Sequence, residues 1–275
     1  MRFTVRHETL YRYSAPVRLA GHTLRLTPRS EGVVLRSHAL TIDPTPVARE
    51  ERVDRFGNAV THVEFAGAAD LFRIESRFEI ETIAASKPVA TDAPTLPWTP
   101  DGEAATAAFV VDHEIDAEVR AFAFALAAES DWRAEAFLER LTRTLFTRTD
   151  RHIRPDGHAQ SAAYTLAVGR GACRDVTVLF LAAARALGIP ARFVSGYQAR
   201  AETPDGRRHL HAWPEVFVPG SGWHGWDPTH GVAVGDGHVA LSAAPDQLGT
   251  MPIEGGFFGD GVTSTLDYRV EIDAV

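Results

Sequence analysis

The sequence predicts an α+β fold, in which a small antiparallel β domain precedes a larger unit of helices followed by strands. One observation is a strict alternation in which Phe72, Ile74, Phe78 and Ile80 are separated by polar, mostly charged residues. A period of two with one polar side is typical of an antiparallel sheet that has one face in solvent. A second observation is that helical periodicity comes first in the rest of the chain, and strand-like runs come afterwards.

Composition and patterning divide the chain into three parts. Residues 1–85 are predicted to form the β-rich N-terminal domain. Residues 86–104 are predicted to be a linker, because proline, alanine and threonine dominate the stretch before residue 100. Residues 105–275 are predicted to form the larger domain, which includes a C-terminal strand indicated by the alternation over residues 266–272.

Each element of the larger domain has its own signal. Apolar stripes at helical spacing predict two helices near its start, and a third helix follows residue 173. Gly188 and then Pro190 end that third helix, since glycine takes the left-handed cap and proline cannot continue a helix. Strand-like runs follow. The two stripes are formed by Ile115, Val119, Phe122 and Leu126, and by Phe137, Leu138, Leu141 and Leu145.

Bulk composition narrows the possible functions. The 275 residues are 45% hydrophobic and 23% charged, which is ordinary for a globular protein. The net charge of −8 gives no electrostatic support for binding nucleic acid. No run approaches the roughly 18 apolar residues needed to span a bilayer, so no membrane partner is expected. The charged N-terminus lacks the apolar core of a signal peptide and the chain has one cysteine, so a cytoplasmic location is expected.

The single cysteine is the most informative residue. Cys173 follows a glycine-containing loop and stands at the start of a predicted helix, whose unpaired N–H groups favour thiolate over thiol. His211 lies on a strand-like run downstream, and Asp227 precedes a proline further on. Cysteine, histidine and an acid are the components of a thiol nucleophile, its base and the group that orients the base.

Hairpin geometry brings the last two of these residues together. The glycine-rich segment 219–222 is predicted to turn the chain between two antiparallel strands. His211 and Asp227 are then near-diagonal neighbours across the pair, within reach of side chains of their length. A carboxylate there can accept from one imidazole nitrogen and fix the tautomer, so that the other nitrogen faces the thiol.

Four motifs in this order resemble the bacterial transglutaminase-like superfamily, and they span roughly residues 105 to 235. The N-terminal region, with the motif from His7 to Tyr13 and the turn from Asp54 to Asn58, is similar to the β domain of bacterial members. The motifs are Gly171-Ala172-Cys173-Arg174-Asp175, the run from Gly188 to Tyr197, His211-Ala212-Trp213-Pro214-Glu215-Val216, and Gly222-Trp223 through Asp227-Pro228-Thr229.

The resemblance implies a fold, a reaction class and three roles. The fold is a papain-like, transglutaminase-like catalytic core with helices packed on an antiparallel sheet. Cys173 is implied to be the nucleophile, His211 the general base and then acid, and Asp227 the orienting group. Two residues depart from the pattern. Pro214 stands where valine is usual, and His230 stands where asparagine is frequent.

The sequence indicates one donor for stabilising the oxyanion and leaves the second donor open. The backbone N–H of Cys173 is the natural first donor. Gln160, Tyr164 and Trp213 each carry a suitable second donor, and the sequence does not choose among them. Asp175, in the first helical turn, is predicted to accept from backbone N–H groups rather than to act as a catalytic acid.

The predicted activity is acyl transfer from amide bonds of a peptide or protein substrate, with hydrolysis by a protease or amidase favoured. A protein-glutamine transglutaminase and an inactive peptide-binding module are the alternatives, and the oligomeric state is open. No cofactor or metal is predicted, although a metal site remains a competing hypothesis. Its ligands would come from Cys173, His209, His211, His224, His230 and His238.

Overall fold

The computed structural model describes residues 1–83, 93–99, 104–110, 115–154, 157–200 and 206–275. It is an α+β structure of antiparallel sheets with a few helices, as the sequence predicts. Most of the predicted linker 86–104 lies outside the described residues, so the predicted division into domains stays a prediction.

The N-terminal part consists of strands, and the alternating segment around Phe72 to Ile80 lies within the longest pairing. The main sheet has β1 between β6 and the last strand of the chain, and β6 also pairs with β3. A second, smaller sheet contains β2, β5 and β4. The strands are β1 (Arg2–Leu19), β2 (His22–Leu24), β3 (Val33–Asp43), β4 (Ala48–Val53), β5 (Ala59–Glu64) and β6 (Ala69–Thr82).

Helices dominate the next section, with two short strands that pair in parallel. The last of the helices, α5, is amphipathic and ends before Gly188, which has a φ of +76°. The left-handed cap predicted at Gly188 is thereby confirmed. The elements are α1 (Ala104–Val110), α2 (Ala117–Ala128), α3 (Ala134–Arg148), β7 (Asp150–Arg151), α4 (Ala162–Val168), β8 (Arg170–Gly171) and α5 (Cys173–Arg185).

The central sheet of the larger domain follows, in the order β12-β11-β10-β9-β13. Every residue of β9 is buried, because α5 covers one face of the sheet and the N-terminal sheet covers the other. The strands are β9 (Ala191–Gln198), β10 (His211–Val218), β11 (Gly222–Asp227), β12 (Val232–Ala233) and β13 (His238–Ala244), and after a 3₁₀ turn β14 (Ile253–Glu254), β15 (Phe257–Phe258) and β16 (Ser264–Ala274).

The C-terminal strand pairs with the N-terminal sheet, although its position in the sequence groups it with the larger domain. β16 runs antiparallel to β1 from Phe3 opposite Ala274 to Tyr13 opposite Ser264. Its inward side chains Val270 and Ile272 pack in the cluster of the N-terminal sheet. The physical reason for the difference is that an alternating pattern predicts a strand but does not name its partner.

The two sheet systems share one hydrophobic core. Tyr197, Val239 and Leu241 of the central sheet pack with side chains of the N-terminal strands. Asn58, which is completely buried, also crosses this junction: it donates to the carbonyl of Ala243 and accepts from the same residue's N–H, at 2.9 and 2.8 Å. The N-terminal part is therefore packed against the central sheet.

Candidate active site

The start of α5 positions Cys173. The Asp175 carboxylate, which is fully buried, accepts from the backbone N–H of Ala172 at 2.7 Å and of Gln160 at 2.8 Å. It also accepts from Arg154 at 2.6 Å. The prediction that Asp175 caps backbone N–H groups is confirmed, and this cap fixes the turn that presents Cys173, a partly exposed residue.

The hairpin of β10 and β11 positions His211 and Asp227. Glu215 lies opposite Gly225 and Val218 opposite Gly222, so the predicted turn and pairing are confirmed. In this register the first residue of β10 and the last of β11 lie at the same end of the hairpin. His211 Nε2 is 2.9 Å from Asp227 Oδ2, and both side chains are buried.

The chemistry of a carboxylate assigns the tautomer of His211. An ionised carboxylate can only accept hydrogen bonds, so the ring nitrogen that faces Asp227 carries a proton. In neutral His211 that proton is on Nε2, and Nδ1 is the ring atom that accepts another. The arrangement leaves the basic nitrogen on the side of the ring away from Asp227.

Asp227 accepts hydrogen bonds from other groups besides His211. Its Oδ2 also accepts from His230 Nδ1 at 2.8 Å and from His238 Nε2 at 3.0 Å. Its Oδ1 accepts from the backbone N–H groups of Thr229 at 2.9 Å and His230 at 3.1 Å. Both oxygens are thus satisfied, as a buried carboxylate requires.

Electrostatics within this cluster favour an ionised Asp227. Burial alone would raise the pKa of Asp227, but the charge of His211 and the hydrogen bonds from His211, His230 and His238 lower it well below its usual range. Burial lowers the pKa of His238, and its hydrogen bond to Asp227 only partly offsets this effect. The cluster therefore combines an anionic carboxylate with a neutral His238.

Cys173 and His211 line the same cavity, which has a volume of about 250 Å³. Its walls come from distant parts of the chain: from α5 and β10, from β1 through Thr9 and Tyr11, and from β16 through Tyr268. The N-terminal strand and the C-terminal strand thus contribute directly to the candidate active site.

A buried pair holds the β1 wall against the central sheet. His7 Nδ1 is 2.7 Å from the hydroxyl of Tyr197, and His7 Nε2 is 3.2 Å from Thr9 Oγ1. Both His7 and Tyr197 are buried, and Tyr197 follows Gly196, the residue paired with His211. Burial lowers the pKa of His7 from 6.5 to about 4.

This shift predicts an acid-sensitive junction. Unfolded chains bind a proton at His7 below pH 6.5, whereas the folded protein does not until about pH 4. The contribution of His7 to the free energy of unfolding is therefore fully present above pH 6.5. It is lost as the pH decreases toward 4, by up to about 3 kcal/mol. Urea unfolding of the wild type and His7→Gln across that window measures the effect. The variant should lose less stability, whereas His158→Gln, at an exposed histidine, should follow the wild type.

The predicted oxyanion residues lie elsewhere than on the described walls of this cavity. Gln160 accepts from Thr165 Oγ1 at 3.2 Å through its side-chain oxygen, and Tyr164 is 56% exposed on α4. Trp213 is buried against Val194 and Ala243. Their role as a second donor stays a prediction.

Sequence reasoning missed several residues that line the cavity with Cys173. Arg154, Arg174 and Gln247 carry donors, and Tyr11 and Leu266 supply apolar surface. The alternation of β1 places His7, Thr9 and Tyr11 on one face, and this was the available signal. The residues around β1 in the sequence do not show which part of the protein this face packs against.

The metal hypothesis has one partial match in the described residues. The ligand atoms of His211, Asp227 and His230 lie within 4.8 Å of one another. His224 instead bonds to Ser221 Oγ at 2.7 Å, and His209 to the Tyr268 hydroxyl at 2.8 Å. A metal ion at the cluster would have to replace the proton that links His211 to Asp227, so that metal binding and base orientation compete there.

A cysteine at a helix start, with a histidine and an aspartate on neighbouring antiparallel strands, defines the papain-like and transglutaminase-like class of fold. The family model of the transglutaminase-like superfamily matches residues 121–228. Residues 3–81 match the bacterial transglutaminase-like N-terminal region.

Individual proteins are also similar to this chain. An uncharacterized protein of Mycobacterium tuberculosis is 29% identical over 98% of this chain and 92% of its own length. A protein-glutamine gamma-glutamyltransferase of Pseudomonas aeruginosa is 47% identical over 55 residues, which are 18% of this chain and 8% of that protein. The crystal structure of a candidate cysteine protease from Cytophaga hutchinsonii shares the fold, with a TM-score of 0.73, 20% identity, and coverage of 99% of this chain and 90% of that one.

Among the helices in the described ranges, none combines the length and the apolar content that crossing a bilayer requires.

Proposed function

We propose that this protein is a cysteine-dependent acyl-enzyme catalyst that cleaves amide bonds of peptides or proteins. The observation that carries the proposal is the hydrogen bond from His211 Nε2 to Asp227, together with the shared cavity of His211 and Cys173. In this proposal Cys173 is the nucleophile, His211 is the base and then the acid, and Asp227 orients His211.

The proposed reaction has two steps. In the first, the Cys173 sulfur bonds to the amide carbon, its proton passes to His211 Nδ1, and the C–N bond breaks as His211 returns the proton to the leaving amine. In the second, water gives a proton to His211 and its oxygen bonds to the thioester carbon. The C–S bond breaks, and the proton on His211 restores the thiol. The backbone N–H of Cys173 is the proposed first oxyanion donor.

Charge in the cavity favours water over a lysine-type amine as the acceptor. Within the described ranges, the charged side chains on its walls, apart from histidines, are those of Arg154 and Arg174. A protonated amine would approach these guanidinium groups, of which Arg154 is partly offset by its ion pair with Asp175. We therefore infer hydrolysis. The short match to a transglutaminase keeps transamidation as the second candidate.

The partner in this proposal is a peptide or protein, with neither nucleic acid nor membrane involved. The single cysteine suits a reducing compartment, which supports the cytoplasmic location that we propose with it.

One experiment distinguishes these activities. Wild type and Cys173→Ala are incubated with a mixed library of glutamine-containing and isopeptide-linked peptides, with and without a lysine peptide, and the products are weighed by mass spectrometry. In the wild type only, and whether or not the lysine peptide is present, we expect fragments whose summed mass exceeds that of the substrate by about 18 Da per cleaved peptide or isopeptide bond, or a gain of about 1 Da where a glutamine side-chain amide is hydrolysed. Crosslinked products with loss of ammonia would establish transamidation instead. Unchanged masses in both samples would leave the inactive binding module.

A further inference from the structure

The cluster around Asp227 contains a residue that the three proposed roles do not use. His238 begins β13, on the far side of β9 from His211, and its Nε2 reaches the same carboxylate oxygen as His211 Nε2. Because Asp227 Oδ1 is already fixed by the N–H groups of Thr229 and His230, His238 is not needed to hold the carboxylate in place.

The packing shows that this contact is built into the sheet. Gly196 lies on β9 between β10 and β13, paired with His211 on one side and Ala240 on the other. A Cβ at Gly196 would stand 2.1 Å from the carbonyl oxygen of Val239 and 2.7 Å from Trp213 Cη2, so glycine makes room for both the neighbouring strand and the indole. That indole lies against both imidazoles, with ring centroids 5.9 Å from His211 and 5.3 Å from His238.

His238 is suited to share the charge of Asp227. Its side chain is 5% exposed, and burial keeps its pKa below the usual value, so it supplies an N–H donor without a positive charge. The titratable groups acting on it directly are Asp227, His211 and His230. The cavity behind it is also lined by Arg29, Glu31, Arg192, Glu215, His224 and Asp236.

We propose that His238 is a positioning residue that sets the basicity of His211 by sharing the negative charge of Asp227. Each N–H that a carboxylate accepts spreads its charge, so the attraction left for the His211 imidazolium is weaker. A histidine that must both take and return a proton works best when neither form is strongly favoured. The effect of His238 on the basicity of His211 does not depend on the proposed function, whereas its importance for catalysis rests on that function.

The test is the titration of His211, followed by NMR of protein labelled with ¹⁵N-histidine. We expect His238→Leu to raise the His211 midpoint by roughly 0.5–1 pH unit, because Asp227 loses a donor. In His238→Gln the amide can take the place of Nε2, so the His211 midpoint should stay close to the wild-type value. His224→Leu removes another buried histidine of the same sheet and should leave the midpoint unchanged.

A second variant guards against a failure of His238→Leu to fold. His238→Asn keeps a polar side chain, but its amide is shorter than the imidazole and does not place a donor at the position of Nε2, so it should raise the midpoint as His238→Leu does. An unchanged or lowered midpoint in the folded variants, or an equal shift in His224→Leu, would overturn the inference. The titration needs no turnover, so it fails or succeeds independently of the peptide assay, in which equal activity of wild type and Cys173→Ala would reject the proposed function.

Discussion

Cys173→Ala is expected to lower the turnover of peptide amide bonds by about 10⁴-fold or more, because no other group in the proposed reaction can form the thioester. Since Cys173 is the only cysteine of the chain, no second thiol can replace it. The measurement is the initial rate of product formation with the peptide that the wild type cleaves fastest. Prior alkylation of the wild type with iodoacetamide should produce the same loss.

The fold should tolerate this change. Cys173 is partly exposed, and the cap that begins α5 is formed by Asp175 and the backbone of Ala172, so the unfolding free energy should change by less than about 1 kcal/mol. Ser130→Ala is the matched control, since it truncates a buried polar side chain that bonds to Leu126 far from the cavity. Because the expected loss is about 10⁴-fold, a Cys173→Ala rate above about one-hundredth of the wild-type rate would contradict the role of Cys173 as the nucleophile.

Local signals account for the part of the site that the sequence predicts correctly. Asp175 stands at the position of a capping acid in the first turn of α5, and the structure shows it in that role. Glycines at 220 and 222 predict the tight turn, which both adopt with positive φ, and the turn sets the register that joins His211 to Asp227. Such features depend on a few neighbouring residues, so they can be inferred from one chain.

Contacts between distant segments account for what the sequence does not show. His238 reaches Asp227 only because β13 pairs with β9, and no local pattern specifies that pairing. Tyr11 and Tyr268 line the cavity because β16 pairs with β1 across almost the whole chain. In both cases alternation predicts the strand, whereas its partner is decided by packing in three dimensions.

Asp227→Asn is expected to lower kcat by about 10²–10⁴-fold with a smaller effect on KM, because the carboxylate acts on His211 and not on the substrate. Asp227 Oδ2 accepts N–H groups from three imidazoles in the folded protein. An amide presents either a neutral oxygen or an N–H group at that position. Where the N–H faces His211, the imidazole must turn its protonated nitrogen toward Cys173, and it can no longer act as a base.

The same substitution distinguishes orientation from structural support. The amide keeps the size of the side chain and can still accept from the N–H of Thr229, so the protein should fold. Loss of a buried charge-assisted contact should cost about 1–3 kcal/mol of stability, which thermal unfolding measures. Asp246→Asn, at an exposed aspartate that accepts from Gly249, controls for the loss of a carboxylate and should retain full activity.

The size of the kinetic effect decides the role of Asp227. A folded Asp227→Asn protein with an unchanged kcat would mean that His211 acts without a fixed tautomer, and the proposed orienting role would be wrong. A matching decrease in the rate at which iodoacetamide alkylates Cys173 would locate the defect in the activation of the thiol. That assay measures the thiol without any substrate, so it separates a lost base from a damaged peptide-binding cavity.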